Sequence, residues 1–119
     1  LAISKEEFTK ALKSLEEALQ APKNDLNRDG TIQRFEFCVE LAWKTCKKVM
    51  GSNLSAPKDI VREMARNSYI TDVDFWLQAI DKRNLSSHTY NESLAEEVYL
   101  FAQAFLPYAK RLEAVLDSK

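Results

Sequence analysis

The chain reads as an all-α protein, an up-and-down bundle of four to five helices, and three features predict it. Apolar residues recur at steps of three and four along most of its length. Only two glycines and three prolines interrupt 119 residues. The stretches between candidate helices are short and polar, as neighbouring helices of a bundle require. That length suits one domain over residues 1–119, because a chain of this size buries roughly two thirds of the surface its unfolded form exposes and needs no staples. No sheet is expected.

Ser4-Lys5-Glu6-Glu7 is a capping box, in which the Ser4 hydroxyl accepts an N-terminal amide and Glu7 reaches back to the cap. Phe8, Leu12, Leu15 and Leu19 then share one stripe, and Pro22 stops the helix soon after. From Ile32 to Met50 the helical pattern is the strongest in the chain, with Gly51 placed to end it. Phe35, Val39, Ala42, Cys46 and Val49 form its stripe; Phe37, Cys38 and Leu41 widen it, so this helix asks for cover on two sides, in a central position or at a subunit interface. Glu36, Glu40, Lys44 and Lys48 recur every four residues. Glu40 precedes Lys44 in the favoured order for an ion pair, and the row reads as a solvated face. Trp43 reads as packing.

Ser55 is placed to cap a third helix that has Pro57 in its first turn and Ile60, Val61, Met64 and Ala65 on its apolar side. The pattern breaks at Asn67-Ser68-Tyr69. Thr71-Asp72-Val73-Asp74 reads as another capping box, opening a fourth helix with Val73, Trp76, Leu77 and Ile80 inward. Asn91 caps the last helix, where Leu94, Val98, Phe101, Phe105 and Leu112 keep the spacing. Pro107 inside that pattern predicts a kink or a division, since proline removes one backbone donor.

Seventeen basic and eighteen acidic residues leave a net charge near −1, so there is no global basic field and any contact with nucleic acid is local. Cys38 and Cys46 lie eight apart in one helical pattern, about two turns from each other, and cannot bond together. With neither a leader-like segment nor an apolar run long enough for a bilayer, the expectation is a reduced, cytoplasmic protein without membrane contact.

Two stretches carry possible chemistry. The first, Asp25 to Glu36, matches an EF-hand calcium loop. Asp25, Asn27 and Asp29 supply oxygen at positions one, three and five, Gly30 stands at six and Glu36 at twelve. Pro22 interrupts the helix that should lead into it, and the other reading is a polar connection in which Gly30 turns the chain and Thr31 caps the next helix. The second stretch, Arg83-Asn84-Leu85-Ser86-Ser87-His88-Thr89-Tyr90, holds the single histidine of the chain. Arginine carries a permanent charge in a fork that fits phosphate oxygens, and imidazole exchanges a proton near neutral pH. That combination suits cleavage of an RNA phosphodiester without a metal or other cofactor.

Ile32-Gln33-Arg34-Phe35-Glu36-Phe37 continuing to Glu40-Leu41-Ala42-Trp43-Lys44, together with Asp81-Lys82-Arg83 through Tyr90, closely resembles the nucleotidyltransferase substrate-binding subunits grouped with HepT-type toxins in the HEPN superfamily. The likeness spans nearly the whole chain and includes the Arg28-Asp29-Gly30 approach, which looks like a family turn. Arg83, Asn84 and His88 fit the superfamily's arginine–histidine motif, and Tyr90 extends it to the longer HepT-like version. The resemblance implies a HEPN-like bundle that forms a homodimer about a shared cleft for RNA or nucleotide, and a separately encoded minimal nucleotidyltransferase as partner. It also implies that Arg83, Asn84 and His88 act in ribonucleolytic catalysis as the toxin of a toxin–antitoxin pair, while Tyr90 receives adenylate from the partner. The chain has no nucleotidyltransferase core of its own. The competing expectations are a binding subunit that performs no chemistry at the same cleft, and a calcium-binding helical module.

Overall fold

The computed structural model describes residues 5–119, so the Ser4 cap lies outside them. Five α-helices follow in order: α1 (Lys5–Gln20), α2 (Asp25–Met50), α3 (Pro57–Arg66), α4 (Val73–Leu85) and α5 (Glu92–Asp117). A short 3-10 turn, Ser86–His88, lies between the last two, and no strand occurs among the described residues.

Helix α2 begins seven residues before the pattern predicted, because Asn24 caps it. Its backbone is extended and its side chain accepts the Asn27 amide at 2.8 Å, satisfying one of the first-turn donors. The Asn27 side chain in turn donates to the Pro22 carbonyl at 2.8 Å. Asp25 to Glu36 are therefore the first turns of a helix and not a calcium loop, and the alternative turn at Gly30 is absent too. Gly30 is helical, and the Thr31 hydroxyl donates back to the Asn27 carbonyl at 2.8 Å in place of capping. A glycine inside a helix costs about 1 kcal/mol, little beside the burial that α2 secures on two sides. Among the described residues no three acidic, histidine or cysteine side chains gather where a cation could sit.

Gly51 ends α2 in the left-handed conformation (φ 64°), where L side chains are strained. Ala56, without a side-chain cap, precedes Pro57 at the start of α3; Ser55 does not fill that role. Ser68 takes the left-handed conformation after α3, and the Tyr69 amide returns to the Met64 carbonyl at 2.9 Å, which accounts for the break in pattern. Asp72, and not Thr71, caps α4 by accepting the Phe75 amide. Pro107 sits within α5 without dividing it. Buried residues on both sides of it, Phe105 before and Ala109, Leu112 and Leu116 after, tie the two halves to one core.

Phe35 of α2 is the centre of that core. It meets Phe105 edge-on at 5.2 Å and Phe101 at 5.9 Å, while Trp76 of α4 closes on Phe105 at 5.2 Å. Phe8, Leu12 and Leu15 cover one side and Ile60, Val61 and Met64 another. The two-sided cover expected of α2 is thus supplied within the chain, although Phe37 and Val49 stay exposed. Trp43 is buried, and Cys38 and Cys46 are free and fully enclosed. Burial holds the Cys46 thiol at about 12, and burial pushes the Cys38 thiol up likewise. No described helix is long and apolar enough to cross a membrane.

The Lys5 ammonium donates to the Leu116 carbonyl, and Lys110 pairs with Glu16, so α1 and α5 run in opposite directions. By contrast, α2 and α5 begin at the same end. Arg28, with 6% of its side chain exposed, donates to Glu92 at 2.7 Å and lies 3.4 Å from both Glu96 and Asp29. Lys23 also pairs with Glu96. The Glu92 carboxyl is held below the ordinary carboxylate range, chiefly by the hydrogen bond from Arg28, and Glu96 chiefly by that from Lys23. A carboxylate lowered on folding stabilises the native state above its unfolded pKa and loses that contribution as the pH falls through the folded value. Arg28→Ala should therefore lower Tm at pH 7 by roughly 5–10 °C. It should also shrink the fall in Tm below about pH 4.3, the unperturbed glutamate value. Thermal melts from pH 7 to pH 3 check both, and an unchanged acid limb would contradict the assignment.

Candidate functional site

The segment from Arg83 to Asn91 joins α4 to α5 by a chain of local bonds. The Ser86 hydroxyl donates to the Arg83 carbonyl at 2.6 Å, Ser87 to the Asn84 carbonyl at 3.3 Å and Thr89 to the Ser86 carbonyl at 3.0 Å. Short hydroxyl side chains thus add bonds to carbonyls at the end of α4 and in the turn itself, where Ser86-Ser87-His88 tightens into a 3-10 helix. The Asn91 amide donates to the His88 carbonyl at 3.1 Å, and the Asn91 side chain caps α5 through the Leu94 amide, as its sequence position predicts.

This turn presents His88 and Tyr90 together at the surface. Their ring centroids stand 6.2 Å apart at 71°, and Tyr90 is 87% exposed. Asn84 lies on the exposed side of the last turn of α4. Arg83 reaches instead across to α2. Its Nε donates to Glu40 at 2.7 Å and its Nη1 lies 3.3 Å from Glu36, with 29% of the side chain exposed. The second Glu40 oxygen sits 3.2 Å from the Lys44 ammonium, the pair expected from their spacing. The row read as a solvated face is thus partly committed: two of its carboxylates grip the arginine of the motif. Spacing every four residues placed them on one side of α2 but could not reveal what α4 would bring to them.

Arg28 is the second residue whose part was not read. It fixes Glu92, the first residue of α5, so the turn bearing His88 and Tyr90 is tied to α2 just before and just after. Beside Arg83, Lys82 pairs with Glu97 at 2.7 Å and Asp81 with Lys58 at 2.7 Å. Around the guanidinium, Arg83 and Lys44 balance Glu36 and Glu40, two positive against two negative charges. The arrangement offers an exposed imidazole and phenol for proton transfer or modification, beside an oriented but neutralised cation.

Comparison with known proteins places the chain in a family. The family described as "Nucleotidyltransferase substrate binding protein like" matches residues 4–118. A Haemophilus influenzae protein named "Probable ribonuclease HepT" is 36% identical over 85 residues, which cover 65% of this chain and 58% of that protein. Among solved structures, one from Thermus thermophilus is 31% identical with a TM-score of 0.76, covering 93% of this chain and 97% of its own. Another, from Haemophilus influenzae, is described as the fold of a substrate binding domain of a nucleotidyltransferase. It is 29% identical with a TM-score of 0.85, over 95% of this chain and 98% of that one. With a family match running almost from end to end and the same bundle in both solved relatives, the chain belongs to the nucleotidyltransferase substrate binding protein-like family.

Proposed function

We propose that the chain is a HepT-like endoribonuclease that works as a homodimer and is controlled, as the toxin of a toxin–antitoxin pair, by a separately encoded minimal nucleotidyltransferase. The observation that carries this reading is the single turn between α4 and α5, which presents His88 and Tyr90 side by side at the surface with Arg83 and Asn84 one turn upstream. The relative named as a probable ribonuclease supports the activity, and the family description supports the partner.

In the reaction, a base removes the proton of an RNA 2′-hydroxyl and that oxygen attacks the adjacent phosphorus. An acid then protonates the departing 5′-oxygen. Each chain has one histidine, so one His88 serves as base and the His88 of the second copy as acid across a shared cleft. Arg83 stabilises the added negative charge on phosphorus, and Asn84 orients the phosphate or the ring. Phe37, 52% exposed, follows Glu36 on α2. Burying it against a second copy removes apolar surface from water and brings the two sites together. Adenylate transferred to the Tyr90 hydroxyl would set a bulky anion beside His88 and repel RNA phosphates.

The family description favours a second reading, in which the same cleft binds a nucleotide or the partner's substrate and performs no chemistry. The commitment of Arg83 to two carboxylates is compatible with it.

His88→Ala and Arg83→Ala should each abolish RNA cleavage assayed in EDTA while the fold, followed by circular dichroism, persists. Wild-type protein that binds nucleotide yet leaves RNA intact would decide for the binding subunit. Phe37→Glu should shift the sedimentation coefficient from dimer to monomer and lower cleavage in parallel; a dimer that survives the charge excludes this face. Incubation with the partner and ATP should add the mass of adenylate to wild type and none to Tyr90→Phe, as read by intact mass spectrometry.

A further inference from the structure

We infer that the grip of Glu36 and Glu40 on Arg83 is an inhibitory latch: an anionic substrate gains the Nε donor of the guanidinium only by displacing Glu40, which then rests on Lys44. This rests on the nucleic-acid reading of the site and adds to it a step of control. The arginine is the permanent cation of the motif, yet its Nε is spent on Glu40 at 2.7 Å and its Nη1 faces Glu36 at 3.3 Å. A phosphate approaching that guanidinium meets two carboxylates as well, and the four charges of the cluster sum to zero. Attraction and repulsion cancel in this arrangement.

Glu40 has a second place to go. Its other oxygen already lies 3.2 Å from Lys44, one turn further along α2. Release from Arg83 therefore exchanges one ion pair for full occupancy of another, with no charge left without a partner. Such an exchange costs little, because one partly exposed ion pair replaces another on the same surface. Lys48 stands one more turn along the same row and pairs with no acidic residue among those described, so the cation-rich end of α2 draws the released carboxylate away from the site. The latch thus has two discrete states, and substrate selects the open one by differential affinity. Glu36 makes the longer contact and has the smaller share.

The test measures binding of a short single-stranded RNA in a His88→Ala background, where cleavage does not confound it. Glu40→Gln should bind about five-fold more tightly, since it keeps the shape and removes the opposing charge; Glu36→Gln should show a smaller gain. Lys44→Ala should weaken binding more when Glu40 is present than in the Glu40→Gln protein, where only the direct loss of a positive charge remains, a coupling that a double-mutant cycle isolates. With His88 intact, Glu40→Gln should lower KM. Thermal melts accompany each variant, so an unfolded protein is not mistaken for a weak binder. Should Glu40→Gln bind equally or less well than its parent, Glu40 merely positions Arg83 and the latch is overturned while the ribonuclease reading stands. A loss from Lys44→Ala that is equally large in Glu40→Gln overturns the handover. Failure of both parent and Glu40→Gln to bind RNA overturns the nucleic-acid reading and the latch together.

Discussion

The site depends on one constraint: residues 83–92 are strapped to α2 at both of their ends. Arg83 reaches α2 from the last turn of α4, and Arg28 of α2 reaches the first residue of α5. Between the two straps the chain makes a 3-10 turn held by its own hydroxyl side chains. Neither strap alone would fix the turn, since a helix end held on one side can fray or rotate. Held on both sides, His88 and Tyr90 occupy a defined place beside the outward face of α2, and the geometry of the site is inherited from the packing of three helices.

The straps and the core do different things, and magnitudes separate them. Each large side chain enclosed around Phe35 contributes about 1.5–3 kcal/mol on burial, whereas a partly exposed ion pair such as Arg83 with Glu40 contributes about 0–1 kcal/mol. The bundle is therefore held by Phe8, Phe35, Phe105, Leu112 and their neighbours. The Arg83 cluster orients without carrying much of the stability. Charges there can be rearranged without unfolding the protein, as the proposed binding of an anionic ligand would require. Arg28 differs because its side chain is enclosed: its removal leaves a void as well as unpaired carboxylates.

Much of this was legible from residue spacing. The helices around Val39, Ile60, Trp76 and Val98 follow from apolar steps of three and four, and Gly51 and Asn91 mark ends that the structure uses. What failed was local chemistry with two meanings. Asp25, Asn27, Asp29, Gly30 and Glu36 satisfy a calcium-loop pattern, but Asn24 caps a helix before the loop can form, and a cap one residue upstream outweighs a pattern of ligands. Thr71 and Ser55 each stood one residue from the position actually used, because hydroxyl caps compete with neighbours on terms that backbone direction decides. The roles of Glu36, Glu40 and Arg28 were hidden for a different reason. Their partners on other helices lie 43 to 68 residues away, and charge periodicity within one helix says nothing about which charge another helix presents.

Charge accounting links the dimer and the latch. In the proposed reaction one histidine per chain leaves the second proton-transfer role to a second copy, so dimerisation would supply the missing acid. It does not supply the missing positive charge. A second copy brings its own Arg83 and Lys44 together with its own Glu36 and Glu40, and two neutral clusters remain neutral when placed together. In the proposed complex these clusters would therefore offer an RNA phosphate no net charge unless charge moves within each chain. Glu40 is the group placed to move, because it alone of the two carboxylates touches a second cation. In the proposed mechanism pairing of copies would meet the need for a second proton-transfer group and rearrangement of a carboxylate the need for charge, and neither could stand in for the other.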